Sequence, residues 1–186
     1  MDRLVGVVGI QGDFAKHVEA IERAGGQARL VRTPEELEFV DRLIIPGGES
    51  TTVGLLMERF GLGAAITGRV GQGMPVWGTC MGMILLAAQI EDSDQYRLGI
   101  LDVTVRRNAF GAQVHSFEDD LEFEGVGRVR GVFIRAPIVT STEPGVEVLS
   151  RYDDQVVAVR QGRIVGTSFH PELTDDTRIH RWFLAL

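Results

Sequence analysis

The stretch GTCMGMILLA (residues 78–87) contains Cys80, the only cysteine in the chain, at the head of an apolar run. It follows the short apolar run MPVWG (74–78), typical of a buried strand, and continues as MGMILLAAQI (81–90), typical of a buried helix. Glycines at positions 78 and 82 leave room for a sharp turn that exposes a nucleophile between them, and the start of a helix favours a thiolate. The same pattern is also typical of a buried cysteine that packs as a small apolar residue.

Strands and helices alternate on the N-terminal side of this stretch. LVGVVGIQ (4–11) and RLIIP (42–46) are nearly continuous apolar runs, as in strands buried on both faces. Between them Phe14, Val18 and Ile21 recur at helical spacing, followed by a glycine pair that ends the helix. Further predicted elements are a strand ARLV (28–31), a short helix opening at Pro34 and helical material from about 52 to 70. This alternation predicts a doubly wound, mostly parallel α/β sheet with helices on both faces.

Short strand-like runs separated by turn signals follow from 98 to 169. These runs are ILDVTV (100–105), VRGVFIRA (129–136), VEVLSRY (146–152), QVVAVRQ (155–161) and RIVGTSF (163–169). We expect some of them to be antiparallel, so that the central sheet is extended as a mixed sheet. A last amphipathic helix is expected to turn Ile179, Trp182 and Phe183 inward. The whole chain, residues 1–186, is interpreted as one domain.

The composition is that of an ordinary globular protein, with 44% hydrophobic and 24% charged residues. A single cysteine excludes an intrachain disulfide and a zinc site built from several cysteines. The net charge of −7 comes without a basic stripe, which argues against nucleic acid as a partner. No apolar stretch approaches the ~20 residues of a membrane span, and the N-terminus lacks a secretory pattern, so we expect a cytoplasmic protein with no membrane partner.

Three turns directly follow predicted strands: PGGES (46–50), GTCMG (78–82) and HPE (170–172). Because ligand sites of open parallel sheets lie at the carboxyl ends of the strands, we expect the three turns to share a site. His170 and Glu172 are the residue types that relay a proton to and from a thiol. Adjacent glycines can turn backbone N–H groups toward an anion. Taken singly, each turn also fits a plainer interpretation: a strand-end histidine, a solvated acid and a simple tight turn.

These turns resemble those of the class I glutamine amidotransferases, whose superfamily is marked by GTCxG together with HPE. Longer matches resemble one family more specifically, the glutaminase subunits of pyridoxal 5′-phosphate synthase. They include PGGESTT (46–52), RRNAFG (106–111), FIRAP (133–137) and HPELTDD (170–176), and the resemblance extends over almost the entire chain. Two positions depart from it: Met81 stands where the family usually has alanine, and His115 where aspartate is more usual.

The resemblance implies hydrolysis of L-glutamine by a Cys80–His170–Glu172 triad, with no metal and no cofactor. It implies an oxyanion hole made by the backbone N–H groups of Gly48 and Met81. The implied glutamine-binding residues are Gly48, Glu49, Ser50, Arg107, Ile134 and Arg135. Arg107 is the candidate for the α-carboxylate, because a planar guanidinium matches a carboxylate; the role of the Arg135 side chain stays open.

The resemblance also implies a partner, the synthase subunit of pyridoxal 5′-phosphate synthase, which would receive the ammonia within a hetero-oligomer. Two alternatives stay open at this point. One is the glutaminase subunit of imidazole glycerol phosphate synthase, which shares the cysteine turn and a similar HPE. The other is a non-catalytic α/β protein that keeps the turn cysteine for redox sensing; it has no need of His170 and Glu172.

Overall fold

The computed structural model describes residues 3–111 and 116–186, so His115 lies outside the described residues. The strands are β1 (Leu4–Val8), β2 (Gln27–Val31), β3 (Arg42–Ile45), β4 (Val76–Thr79), β5 (Ala87–Ile90), β6 (Leu101–Arg106), β7 (Ser116–Phe123), β8 (Gly127–Ile134), β9 (Ile138–Thr142), β10 (Glu147–Tyr152), β11 (Gln155–Gln161) and β12 (Ile164–Thr167). The helices are α1 (Phe14–Arg23), α2 (Pro34–Leu37), α3 (Ser50–Arg59), α4 (Leu62–Gly71), α5 (Met81–Leu86) and α6 (Arg178–Leu184), with a 3-10 turn at Pro171–Leu173.

The main sheet has ten strands in the order β2-β1-β3-β4-β12-β11-β9-β6-β5, with β10 paired to β11 off this path. The pairs β1–β2, β1–β3, β3–β4 and β4–β12 are parallel, and so is the pair β5–β6. The pairs that β11 makes with β12, β9 and β10, and the pair of β6 with β9, are antiparallel. The predicted mixed, mostly parallel sheet is therefore confirmed.

Strand register brings the three predicted turns to one level. Ile45 at the end of β3 lies opposite Gly78 of β4. Thr79 at the end of β4 lies opposite Thr167 at the end of β12. The three strands are neighbours in the sheet, so the turns that follow them start side by side at its carboxyl edge.

The sheet separates two apolar cores because its central strands alternate their side chains. Val5 and Val7 of β1 and Trp77 of β4 face one core, with Ile21 of α1 and Phe183 of α6. The other core holds apolar side chains of α2, α3, α4 and α5. Helices thus cover both faces, as predicted. In the part of the chain that the structure describes, no helix combines the length and the apolar character needed to cross a bilayer.

Two predicted helices have different bounds. The helix expected over 81–90 ends at Leu86, and 87–90 form β5. The carbonyls of Leu85 and Leu86 accept hydrogen bonds from the N–H groups of Leu98 and Ile100, which leads the chain into the sheet. The helical stretch from 52 to 70 is two helices, because Gly61 takes a φ of 74° between them.

Two further expectations need correction, and three strands were missed. The run at 129–136 does not extend the central sheet: β8 pairs with β7 in a separate two-stranded sheet, since Val129 and Phe133 pack on the face of the main sheet. The strands β5, β7 and β9 were not predicted. Trp182 is half-buried with its ring edge to Phe123, whereas Ile179 and Phe183 are buried as predicted.

Candidate active site

Cys80 sits on a sharply strained turn between β4 and α5. Its backbone has φ 50° and ψ −108°, a conformation that residues other than glycine rarely adopt. A Cβ on Gly78 would lie 2.4 Å from the carbonyl carbon of Gly82, and a Cβ on Gly82 would lie 2.0 Å from the carbonyl oxygen of Ile45. Both glycines are thus required by close backbone approach, and the structure has the sharp turn that their spacing predicts.

His170 and Glu172 follow β12 and meet this turn. The Nδ1 atom of His170 lies 2.7 Å from Oε1 of Glu172, and both side chains are buried. A Cβ on Gly47 would lie 2.5 Å from Cε1 of His170 and 3.5 Å from Cβ of Cys80. The glycine turn after β3 therefore packs directly against the imidazole, and all three turns converge at one point.

The charges of this cluster support one another. Burial lowers the pKa of His170, but its hydrogen bonds with Cys80 and Glu172 and the charges of those two groups outweigh burial and raise the pKa to about 10. Burial would raise the pKa of Glu172, yet the neighbouring histidines, including the hydrogen-bonded His170, lower it. Glu172 is thus held as a buried carboxylate beside a histidine whose protonated form is favoured.

A cavity of about 400 Å³ opens in front of Cys80. It is lined by Asp13, Gly48, Glu49, Ser50, Cys80, Met81, Ile84, Arg107, Asn108, Ile134, Arg135 and His170. All the residues predicted for the site except Glu172 therefore line one cavity. Glu172 lies behind His170, where an orienting carboxylate is needed.

Several predicted lining residues are held by specific contacts. The Glu49 carboxylate accepts from the backbone N–H groups of Thr51 and Thr52 and so caps α3. Hydrogen bonds from Thr52, and smaller ones from Thr51, lower the pKa of Glu49 to about 2 despite partial burial. The Ile134 carbonyl lies 3.7 Å from Sγ of Cys80. Met81 is buried, and its Cε would lie 3.3 Å from a Cβ placed on Gly48, so this side chain packs against the glycine turn.

The sequence prediction missed residues that complete the cavity. Gln95 accepts from Nη1 of Arg107 at 2.7 Å and from the Ser50 hydroxyl at 3.3 Å, which ties two predicted binding residues together. Asp13 places Oδ2 3.7 Å from Nδ1 of His170. Its position after β1, at the same sheet edge as the other turns, was the available signal. Nothing in the sequence near Gln95 indicates its contacts, which arise from the fold of 91–100.

Asp13, His170 and Glu172 are also the described residues that could hold a cation, with ligand atoms within 4.8 Å of one another. Nδ1 of His170 is already engaged by Glu172 at 2.7 Å, much closer than Asp13 at 3.7 Å. A cation bound to Nδ1 would have to break that hydrogen bond. The geometry therefore fits proton transfer better than metal coordination.

Two more buried histidines lie behind Glu172. Nε2 of His17 is 3.3 Å from Oε2 of Glu172 and 3.1 Å from the hydroxyl of Thr79. Nδ1 of His17 is 3.2 Å from Nε2 of His180. His17 was not predicted, although it lies between Phe14, Val18 and Ile21 on the apolar face of α1, where a titratable residue is a signal in itself.

We expect these histidines to make the fold sensitive to acid. Burial lowers the pKa of His17, although Glu172 opposes this, and burial lowers the pKa of His180 to about 3. Below the ordinary histidine pKa of about 6.5, these two histidines bind protons in the unfolded chain but stay neutral in the folded chain. The free energy of unfolding therefore decreases as the pH falls. His180 alone should remove about 1.2 kcal/mol between pH 6 and 5.

Urea unfolding at pH 5.0 to 6.5 measures this slope, above the range in which most carboxylates titrate. In His180→Gln the amide can still donate to His17, but the titration is gone, and we expect a slope shallower by about one proton. An unchanged slope in this variant would show that His180 titrates alike in the folded and unfolded chains.

Comparisons with known proteins identify the family of this chain. Residues 7–186 match the SNO glutamine amidotransferase family. The chain is 53% identical over 188 residues to a pyridoxal 5′-phosphate synthase subunit PdxT of Thermus thermophilus, covering all of this chain and 98% of that protein. It is 50% identical over 182 residues to the subunit of the same name from Carboxydothermus hydrogenoformans, covering 97% of this chain and 95% of that protein. A crystal structure of a glutamine amidotransferase superposes with a TM-score of 0.95 at 52% identity, covering 97% of both chains. By sequence and by structure, the chain belongs to the SNO glutamine amidotransferase family.

Proposed function

We propose that this chain hydrolyses L-glutamine to L-glutamate and ammonia as the glutaminase subunit of a pyridoxal 5′-phosphate synthase. The observation that carries the reaction is the convergence of Cys80, His170 and Glu172 from neighbouring strand ends onto one cavity. The observation that carries the pathway is the full-length similarity to pyridoxal 5′-phosphate synthase subunits.

The first half of the reaction forms a thioester. The Cys80 thiolate attacks the side-chain amide carbon of glutamine, a C–S bond forms, and the carbonyl electron pair moves onto oxygen. The backbone N–H groups of Gly48 and Met81 are the proposed donors to this oxyanion. Met81 is the first residue of α5, so its N–H has no partner within the helix and is available for this role. When the intermediate collapses, the C–N bond breaks and the His170 imidazolium protonates the departing nitrogen, releasing ammonia.

The second half returns the enzyme to its starting state. Neutral His170 takes a proton from water, the resulting hydroxide equivalent attacks the γ-glutamyl thioester, and the C–S bond breaks. The products are glutamate and the Cys80 thiolate beside an imidazolium. Glu172 keeps the imidazole in the tautomer with N–H at Nδ1 throughout, so Nε2 faces the chemistry.

Charge in the cavity suits a zwitterion. Arg107 and Arg135 bring positive charge, while Asp13 and Glu49 bring negative charge. Arg107 is held by Gln95 and is the proposed partner of the α-carboxylate. Glu49 is occupied in capping α3, so its place in glutamine binding is to hold Gly48 and Ser50 in position.

The partner is proposed to act on the loops that follow β1 and β3. Oε1 of Gln11 accepts from the backbone N–H of Glu49 at 3.0 Å, and the N–H of Asp13 donates to the carbonyl of Gly47 at 3.3 Å. A synthase subunit that contacts the first loop would therefore also reposition the Gly48 turn. This coupling would let the oxyanion hole form only when ammonia has a synthase to receive it.

We expect the isolated chain to hydrolyse glutamine slowly and the synthase subunit of pyridoxal 5′-phosphate synthase to accelerate it about 10²- to 10³-fold, the usual effect of one oxyanion donor. Steady-state hydrolysis of the purified chain titrated with that synthase measures this. A Cys80→Ala chain supplies the control, because it should displace the active chain from the complex. Unchanged turnover across a saturating titration would contradict the partner assignment. The same titration with imidazole glycerol phosphate synthase tests the rival partner.

Glu172→Gln should lower turnover less than loss of His170 does, because it removes the group that orients the imidazole but not the proton carrier. The matched control is Asp13→Asn, which also neutralises a carboxylate near Nδ1 of His170, at 3.7 Å instead of 2.7 Å. We expect its effect on kcat to be clearly smaller. If Asp13→Asn were the more damaging change, Asp13 would be the orienting carboxylate.

A redox sensor is the alternative from another class. It requires a reactive Cys80 but no proton relay, whereas the chain buries Glu172 against His170 at 2.7 Å. Labelling separates the two functions: an electrophilic glutamine analogue should modify Cys80, and glutamine should protect it. A thiol that reacts with peroxide but is not protected by glutamine would favour the sensor.

A further inference from the structure

The two oxygens of the Glu172 carboxylate have different surroundings. Oε1 is hydrogen-bonded to His170 at 2.7 Å. Oε2 is buried and, among the described residues, meets no group with full hydrogen-bond geometry. Nε2 of His17 is the nitrogen that approaches it, at 3.3 Å. A buried carboxylate oxygen without a donor is costly, so an N–H at this distance matters for the ionised form.

The histidine pair has one arrangement of protons that satisfies this oxygen. His180 is neutral and carries a single N–H. Its Nδ1 is buried and has no partner within 3–111 and 116–186, whereas its Nε2 lies 3.2 Å from Nδ1 of His17. A bare nitrogen is the cheaper group to leave unpartnered, so the proton of His180 belongs on Nε2. His17 then accepts at Nδ1 and carries its own proton on Nε2, which faces Glu172 and Thr79.

His17 also reaches the nucleophile side of the site. The Thr79 hydroxyl that it contacts at 3.1 Å belongs to the residue just before Cys80. One buried imidazole on α1 therefore touches both the end of β4, which carries the nucleophile, and the carboxylate that orients His170. The charged groups that act on the pKa of His17 are Glu172, His170 and Asp13, and His180 contacts its Nδ1.

We propose that His17 is a positioning residue, whose Nε2–H lies beside the second oxygen of Glu172, stabilises its negative charge and so fixes the orientation of His170 toward Cys80, with His180 fixing the tautomer of His17. The inference rests on the proposed function, in which Glu172 orients His170. It adds two residues to the triad, giving the series Cys80–His170–Glu172–His17–His180, which runs from the cavity to α6.

Two substitutions of His17 separate this role from packing. In His17→Asn the amide reaches only the place of Nδ1, so the donor toward Glu172 is lost. In His17→Gln the amide nitrogen reaches the place of Nε2, so the donor is kept. Ile21→Ala is the matched control, because Ile21 is buried in the core on the same helix one turn later and its apolar side chain has no hydrogen-bond donor to offer Glu172.

The readouts are kcat and KM in the complex with saturating synthase, the pH dependence of Cys80 alkylation by chloroacetamide in the free chain, and thermal unfolding. For His17→Asn we expect kcat to fall about 10- to 100-fold, the size of effect seen when a group that orients a metal-binding side chain from behind is removed, with KM nearly unchanged. The rate of Cys80 alkylation at neutral pH should fall, and the pH at which this rate increases should be higher. The reason is that His170 is no longer held in one orientation toward Cys80. His17→Gln should recover most of both, and Ile21→Ala should lower the unfolding temperature alone.

Wild-type kcat and alkylation in His17→Asn would overturn the inference. So would an equal loss of kcat in Ile21→Ala at a matched unfolding temperature, since packing would then explain both. If the wild-type complex did not hydrolyse glutamine at all, the proposed function would fail by itself. Alkylation of Cys80 would still report whether His17 positions His170.

Discussion

Cys80→Ala is expected to reduce glutamine hydrolysis to the level of a protein-free control, with glutamine binding and the fold largely kept. The reaction needs a thiolate at the turn after β4, and the chain has no second cysteine to substitute for it. Alanine occupies less space than cysteine and inherits the same backbone, so the close approach of Gly78 to Gly82 is undisturbed. The measurement is ammonia release at saturating glutamine and synthase, beside a thermal unfolding curve.

Labelling gives this prediction an independent arm. An electrophilic glutamine analogue should add once to the wild-type chain, should be blocked by glutamine, and should not add to Cys80→Ala. Because Cys80 is the only thiol, the mass of the product assigns the site directly. Turnover by the alanine variant above the protein-free control would rule out the covalent mechanism, whatever the labelling showed.

The positions of the three turns were predictable because each depends on local sequence. Continuous apolar runs in β3, β4 and β12 indicated buried strands, the glycines after β3 and beside Cys80 marked sharp turns, and HPE (170–172) directly followed the third run. Because the three strands are parallel and in register, Ile45, Gly78 and Gly166 lie side by side, and the turns that follow the strands meet. Cys80 and His170 could therefore be predicted to meet without knowledge of any other contact.

The errors fall where sequence patterns are degenerate. Residues 87–90, AAQI, continue an apolar run that fits a buried helix and a buried strand equally well. Their assignment to β5 comes from pairing with β6, which is decided by the tertiary fold. The acidic segment SFEDDLEF of β7 has few apolar positions, since it pairs with β8 alone and leaves one face in solvent.

The residues that support the site were the hardest to predict. Gln95 joins Ser50 to Arg107 across separations of 45 and 12 residues. His17 and His180 come together over 163 residues. No local pattern encodes such contacts: the Gln95 contacts follow from the fold of 91–100, and the histidine contact follows from how α1 and α6 pack on the same face of the sheet. A histidine on the apolar face of α1 was a clue to burial but not to its partner.

His170→Asn is expected to lower turnover about 10²- to 10⁴-fold, the range that a general acid and base contributes. Both halves of the reaction need the imidazole: it protonates the departing ammonia and later takes a proton from water. The pKa of His170 is raised to about 10 by Cys80 and Glu172 against the effect of burial, so the variant also loses the cation beside the thiol. Cys80 alkylation at neutral pH should therefore slow together with turnover.

The matched control for this change is Ser168→Ala, two residues earlier at the end of β12. Ser168 is as deeply buried as His170, and its hydroxyl has no hydrogen-bond partner in the described parts of the chain, so its loss should leave turnover nearly unchanged. In a His170→Ala chain, whose side chain leaves room for the ring, free imidazole should restore part of the activity, and it should restore none to Cys80→Ala. Near wild-type turnover in His170→Asn, with Ser168→Ala equally active, would mean that another group supplies the proton. The proposed triad would then be wrong, although Cys80 could still be the nucleophile.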